Sequence, residues 1–450
     1  MTVTLRPHQE VHADALERIL RTRAAALDAS DTGTGKTYTA LAVAKRLHIA
    51  RPFVVCPKSV AATWRSVGAQ MGLDVTAVGY EKARGGSKGG RHASDYGEEV
   101  PYGKGSFWRW HEPGQFIIFD EVHRCGAQTS LQSKLLIAAR RQFHKLLLLS
   151  ATAADDPTRM KALGYALDLF DMKDYRWWLL RTGVKPGQWG GFVFSGTPAQ
   201  RNAVMQRLHG ELFPARGARM RKAEIPGFPQ TSIEPCMLPD EQGEADKLCD
   251  ELLKLYNDRL LQAAAAAALA EEEHAPHAHL ERMLRVRQSL EALKVPHLVE
   301  LATDHAHTSR VVVFAHFRDT LEALQQKLEK VFDVVPIIDG RNTAEQRASI
   351  QAEFQANRIP VLLCNAEAGG IALSLHDPTG QVERTALISP GWSARQFKQM
   401  LGRVHRDGGA FSQQRLVGFA DTLEETIVRT LAERCDRIDL LNDGLLHGVI

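Results

Sequence analysis

Two rhythms of hydrophobic and polar positions run along this chain. Short unbroken apolar runs bounded by polar residues occur at Phe53–Cys56, Phe116–Phe119 and Leu146–Leu149. They return at Val311–Phe314, Val334–Ile338, Val361–Cys364 and Thr385–Ile388. Such runs suit strands of a parallel sheet covered on both faces. Segments with apolar residues at helical spacing, including Val11–Ala25 and Lys36–Leu47, lie among them. Strands alternating with helices predict an α/β protein with a doubly wound parallel sheet in each half. The expected division is 1–170, a connecting region 171–305 that is largely helical and basic, and 306–450.

Two stretches break the rhythm. The Gly-rich segment 83–114 reads as a long surface loop, with Arg84, Arg91, Trp108 and Trp110. It suits either a solvated insertion or a wedge or grip on a duplex. In the second stretch, Arg201, Arg207, Arg216, Arg219, Arg221 and Lys222 face a single acid, Glu211. Farther on, His274, His277 and His279 lack a fourth metal partner and read as a polar linker.

Composition narrows the class. Of 450 residues, 44% are hydrophobic and 24% charged, enough for sizeable cores and too apolar for a disordered chain. The net charge of only +3 means that any basic surface is local. The six cysteines are scattered without a CxxC pair, which points to reduced thiols and a cytoplasmic location. No apolar run approaches the roughly 18 residues of a membrane span, so no membrane partner is expected.

The sharpest chemistry is Ser30-Asp31-Thr32-Gly33-Thr34-Gly35-Lys36-Thr37, which follows an apolar stretch and opens a helix. Glycines there let backbone N–H groups turn towards phosphate oxygens at a helix N-terminus. Lys36 would reach the β- and γ-phosphates, and the Thr37 hydroxyl would ligate Mg²⁺. Serine stands at position 30, where the full pattern has glycine. A second element, Asp120-Glu121-Val122-His123, ends the Phe116–Phe119 run. Asp120 suits the metal, and Glu121 suits the attacking water.

Together with Ser150-Ala151-Thr152, these segments resemble motifs I, II and III of superfamily-two helicases. Leu5-Arg6-Pro7-His8-Gln9 is similar to the upstream glutamine motif. Pro57-Lys58-Ser59, with Trp64 beyond, and Gly79-Tyr80 resemble motif Ia and the next strand-contacting segment of the Swi/Snf-type branch. Val311–Thr320, Asp339-Gly340-Arg341, Ala368-Gly369-Gly370 and Gln399–Arg406 resemble motifs IV to VI in order. Departures fall at Glu367, Ala372 and Ser374, and they suggest a compact bacterial or phage-like cousin.

The resemblance implies two tandem RecA-like lobes that clamp ATP, with helical or irregular insertions. Arg6, Gln9 and the loop Thr32–Thr37 would bind ATP, with Thr37 and Asp120 on Mg²⁺. Lys36, Glu121, Gln399, Arg403 and Arg406 would be catalytic, and His123, Ser150 and Thr152 would couple nucleotide state to strand grip. Nucleic-acid contacts fall to Pro57, Lys58, Ser59, Gly79, Tyr80, His316, Phe317, Arg341, Ala368, Gly369 and Gly370. The implied activity is that of a DNA helicase or translocase, with RNA and a protein loading partner left open. Two alternatives stand beside it, a duplex translocase that does not separate strands and a nucleotide-gated DNA clamp with little turnover. Phe314, Phe317 and Trp392 suit either base stacking or the core.

Overall fold

The computed structural model describes residues 4–88, 91–103, 105–127, 130–187, 191–269, 277–369 and 373–446. The chain forms two compact units. The first holds Met1–Pro186, Phe192–Pro226 and Asp436–His447, and the second is built mainly from Gly227–Cys435. The described residues of 171–305 are divided between these two units. Helix Pro198–Leu212 sends Met205, Leu208 and Leu212 into the first unit's core. Leu290, Val295 and Leu298, from helices His277–Leu293 and Val295–Ala306, enter the second unit's core. Apolar burial divides the region, although Leu252, Leu255 and Val286 also form a small cluster apart from the two main cores.

The first unit is a six-stranded parallel sheet. Its order is Gly217–Ala218, Ala25–Asp28, Lys145–Leu149, Phe116–Asp120, Phe53–Cys56, Thr76–Gly79. Ala25–Asp28 and Phe53–Cys56 are buried throughout, as continuous apolar runs require. The first helix spans Pro7–Thr22 rather than starting at Val11, which is exposed. Proline in the first turn suits a helix start, and the Gln9 side chain accepts the Arg6 N–H at 3.0 Å.

The segment 83–114 is not a loop. Its described residues form a four-stranded antiparallel sheet, Gly86–Lys88, Arg91–Ser94, Gly97–Tyr102 and Gly105–Trp110. The two tryptophans explain why it folds down. Trp108 and Trp110 join the first unit's core, and the Trp110 indole donates to the Leu135 carbonyl at 3.1 Å. Glu99 accepts from Lys134 at 2.7 Å, tying the sheet to helix Leu131–Arg141.

The second unit is also a six-stranded parallel sheet. Its order is Thr231–Leu238, Ser412–Phe419, Arg384–Ile388, Arg310–Ala315, Val361–Asn365, Ile337–Ile338. Phe314 lies in its core. No helix among the described residues is long and apolar enough to cross a membrane.

Candidate functional site

In the first unit the C-terminal ends of the central strands gather the predicted groups, as ligand sites of parallel sheets do. The loop after Ala25–Asp28 turns through Gly33 and Gly35 at φ 84° and 88°, a left-handed conformation that glycine adopts without a Cβ clash. A Cβ on Gly35 would lie 2.2 Å from the Gln9 amide nitrogen. The glutamine motif is thus packed directly on the loop, and Gln9 Nε2 donates to the Thr34 carbonyl at 3.2 Å. Arg6 sits exposed just before that helix.

Lys36 opens helix Lys36–Arg46, followed by Thr37. Its ammonium donates to the Ser30 and Asp31 carbonyls, each at 2.9 Å. A cation held on loop carbonyls beside inward-turned glycines fits a phosphate cradle. Thr32 and Gly33 lie half-buried at its rim.

Asp120 ends its strand with Trp64 donating to Oδ2 at 2.9 Å and the Tyr80 hydroxyl donating to its carbonyl at 2.9 Å. Burial, then the adjoining Glu121 charge, push the Asp120 carboxyl up to about 6, against the Trp64 hydrogen bond and the Lys36 charge. Glu121 holds a left-handed backbone at φ 54°, an uncommon conformation for a residue with a side chain and one that gathers at functional sites. Among the described residues no cluster of three His, Cys, Asp or Glu forms an all-protein ion cage. Asp120 and the Thr37 hydroxyl instead suit a hard cation that arrives with phosphate oxygens. His279, left from the histidine trio, contacts the Leu255 carbonyl at 2.7 Å, and His274 lies outside the described residues.

His123 Nδ1 lies 3.0 Å from Ser150 Oγ and 3.3 Å from a Glu121 oxygen. Ser150 Oγ accepts the Thr152 N–H, and the Ser150 N–H donates to the Asp28 carbonyl at 3.0 Å. The three coupling candidates therefore form one hydrogen-bonded path from the acid pair to the strand that feeds the phosphate loop.

The strand-contact candidates sort unevenly. Pro57-Lys58-Ser59 follows Phe53–Cys56, with Lys58 and Ser59 exposed. A Cβ on Gly79 would meet Lys58 Cβ at 3.3 Å, so the two segments lie side by side. Tyr80 is a correction. Its side chain is fully buried and directed at Asp120, because an indole, a phenol and a carboxylate pack together behind the acid pair. It braces that pair and offers no surface to a strand.

In the second unit, helix Ala394–Val404 carries Gln399, half-buried, and Arg403, buried. Arg403 and Arg406 both donate to the Leu373 carbonyl, at 3.3 and 3.1 Å. Burial, then the neighbouring Arg403 charge, pull Arg406 down to about 9. Paired guanidiniums on one carbonyl make a place that favours an anion. The His316 ring lies 3.2 Å from the Ser389 carbonyl, and the Arg287 guanidinium lies over the Phe317 ring at 5.8 Å. Half-exposed Arg341 donates to Asp339 at 2.8 Å. Ala368 and Gly369 close the short helix Ala366–Gly369, and Gly370 lies outside the described residues.

One set of residues escaped the sequence reading. His12 Nε2 sits 3.0 Å from Asp28 and 2.9 Å from Ser30 Oγ, all three buried beneath the loop. Burial alone would raise Asp28, yet the His12 ring holds it below the usual carboxylate value. Serine replaces glycine at position 30 because its hydroxyl bridges His12 and the Met220 N–H, the latter at 3.0 Å. The legible signal was an acid, Asp28, inside an otherwise apolar strand.

A parallel sheet with a glycine–lysine phosphate loop beside a strand-end acid pair defines a phosphate-loop nucleotide-binding protein. The helicase conserved C-terminal domain family matches residues 293–408. A protein of Acanthamoeba polyphaga mimivirus, named as an ATP-dependent RNA helicase, is 26% identical over 466 residues, covering 98% of this chain and 84% of its own. The Sulfolobus solfataricus SWI2/SNF2 ATPase core in complex with dsDNA aligns over 99% of this chain and 94% of its own, at 17% identity and TM-score 0.39. S. cerevisiae Dbp5 bound to RNA and ADP BeF3 aligns over 96% and 91%, at 14% identity and TM-score 0.49. Residues 293–408 thus match a helicase C-terminal domain, and nearly the whole chain is similar to the mimivirus protein.

Proposed function

We propose that this protein is a superfamily-two helicase with two RecA-like lobes, a nucleic-acid-stimulated ATPase that moves along DNA. The observation that carries the reading is the convergence of Gln9, the Thr32–Thr37 loop, Lys36, Asp120 and Glu121 on one sheet edge. Gln9 and Arg6 bind the base, and the loop amides and Lys36 hold the phosphates. Glu121 orients and deprotonates the attacking water while Trp64 and Tyr80 fix its neighbour Asp120. Thr37 and Asp120 would hold Mg²⁺, which would supply neutralisation of phosphate charge. Arg403 and Arg406, with Gln399 on the same helix, supply positive charge to the transition state. Lys58, Ser59, the Gly79 backbone and Arg341 hold the phosphodiester chain without reading sequence.

RNA is the second reading, favoured by the name of the mimivirus relative. An ATPase titration with single-stranded, duplex and forked DNA and with RNA, at two salt concentrations, separates the two. Stimulation by DNA that weakens as salt rises is expected. Stimulation by RNA alone replaces the DNA reading, a rate indifferent to every polymer and to salt counts against translocation, and DNA binding with little turnover identifies the clamp. Duplex-stimulated turnover without displacement of a forked strand identifies the translocase that does not unwind.

A further inference from the structure

The basic side chains of the stretch Arg201–Lys222 have no part in the site described above, yet one of them reaches the phosphate loop. We propose that Arg219 and Asp443 form a positioning clamp on that loop, so that the end of the C-terminal helix sets how tightly the first unit holds a nucleotide. The proposal rests on the ATP-site reading and adds to it two residues remote from the loop in sequence.

Arg219 follows the edge strand Gly217–Ala218 and is nearly buried, with its side chain 9% exposed. Its Nη2 donates to Asp31 Oδ1 at 2.9 Å and to Asp443 Oδ2 at 2.9 Å, while Nε pairs with the other Asp443 oxygen. Nη1 donates to the Ala29 carbonyl at 2.5 Å. Burial would strip charge from the guanidinium, but Asp31 and Asp443 keep it firmly cationic. A bidentate guanidinium–carboxylate pair in a dry setting is directional as well as strong.

The backbone beside it repeats the grip. The Lys222 N–H donates to Asp31 Oδ2 at 3.0 Å, and the Asp31 N–H donates to the Met220 carbonyl at 3.1 Å. Residues 29–31 are thus fastened along one side by residues 219–222. On their other side the Ser30 and Asp31 carbonyls hold the Lys36 ammonium. A shift of Asp31 therefore moves the cation that would meet the phosphates, which makes Arg219 and Asp443 positioning residues.

Asp443 is itself well seated. It ends helix Leu423–Asp443, and its side chain is 1% exposed. Leu440 and Leu441 enter the first unit's core. Asn442 Nδ2 donates to the Ala151 carbonyl at 2.8 Å, and Arg437 Nε donates to the Asp155 carbonyl at 3.3 Å. The helix end thereby touches the Ser150–Thr152 segment as well as the loop.

The test is calorimetric binding of Mg·ADP to the full chain, with thermal midpoints measured in parallel, for wild type, Lys36→Ala, Asp443→Asn, Arg219→Gln, their double variant and Asp443→Glu. Asp443→Asn and Arg219→Gln should each weaken binding about five-fold, the double no more than either single, because they break one connected unit. Asp443→Glu, which keeps the charge, should recover most of the affinity. Binding within about two-fold of wild type in both single variants, with only the midpoint lowered, overturns the clamp and leaves a structural ion pair. If wild type binds and Lys36→Ala does not, such a result condemns the clamp alone. If Lys36→Ala binds as wild type does, the ATP-site reading falls and the clamp falls with it. Should Asp443→Asn not fold, Asp31→Asn carries the same expectation at the more exposed end of the network.

Discussion

The two units have the same sheet, six parallel strands, and put the C-terminal edge to different uses. In the first, that edge carries a glycine loop, a cation and two adjacent carboxylates, with a buried His12–Asp28–Ser30 network underneath to hold them. In the second, much of the edge is closed by its own polar groups. Glu291 accepts the His316 and Phe317 N–H groups at 2.8 and 2.9 Å. Lys294, almost wholly buried, donates to Ser389 and to Glu424 at 2.9 and 2.7 Å. A parallel sheet edge is therefore an opportunity for a ligand. It becomes a site where a glycine loop turns at the strand end and holds a lysine on its carbonyls, as Lys36 is held on Ser30 and Asp31.

The difference can be broken from either side. Lys36→Ala or Glu121→Gln should lower ATP hydrolysis by about a thousandfold or more with the thermal midpoint little changed, measured by steady-state phosphate release. The second unit should respond the other way. Lys294→Met leaves Glu424 buried without its cation, at a cost of about 3–5 kcal/mol in urea unfolding, and adding Glu424→Gln should recover part of it. The inserted sheet gives a pH test. Burial would raise Glu99, but Lys134 and Ser106 hold it down to about 2. A depressed carboxyl stabilises above its unfolded value of 4.5 and loses that contribution as pH falls towards 2. The protection of amides in the strands Gly97–Tyr102 and Gly105–Trp110, relative to intrinsic exchange at each pH, should fall across that window in wild type, and in Glu99→Gln should already be low above it. The smallest effect is expected at the exposed cations. Lys58→Ala or Arg341→Ala should reduce the salt slope of nucleic-acid binding by about one each and weaken affinity evenly across sequences.

Much of this was legible in the chain. Phe116–Phe119 and Leu146–Leu149 announce buried strands because both their faces meet helices, and the glycine–lysine loop announces itself by spacing. The edge strand Thr231–Leu238 and its neighbour Ser412–Phe419 did not. Thr231–Leu238 contains Pro235 and is only partly buried, as an edge permits. Ser412–Phe419 hides Ser412 and Gln414, which bond Thr231 at 2.8 and 3.0 Å, so its buried positions look polar. The sheet in 83–114 was masked by its glycines, although Trp108 and Trp110 signalled a face to bury. In the site, Tyr80 was misplaced because a motif gives order along the chain and not the direction of a side chain. Asp28 and Arg219 act through partners 16 and 224 residues away, His12 and Asp443, a distance that no local pattern encodes.

The first unit is assembled from separated stretches, and its last piece is made last. Roughly two hundred residues lie between Pro226 and Asp436. At a ribosomal pace of about 5–20 residues per second, the nascent unit waits some ten to forty seconds for Leu440 and Leu441. Throughout that interval the seat of these leucines is bare and Arg219 has no Asp443 to meet.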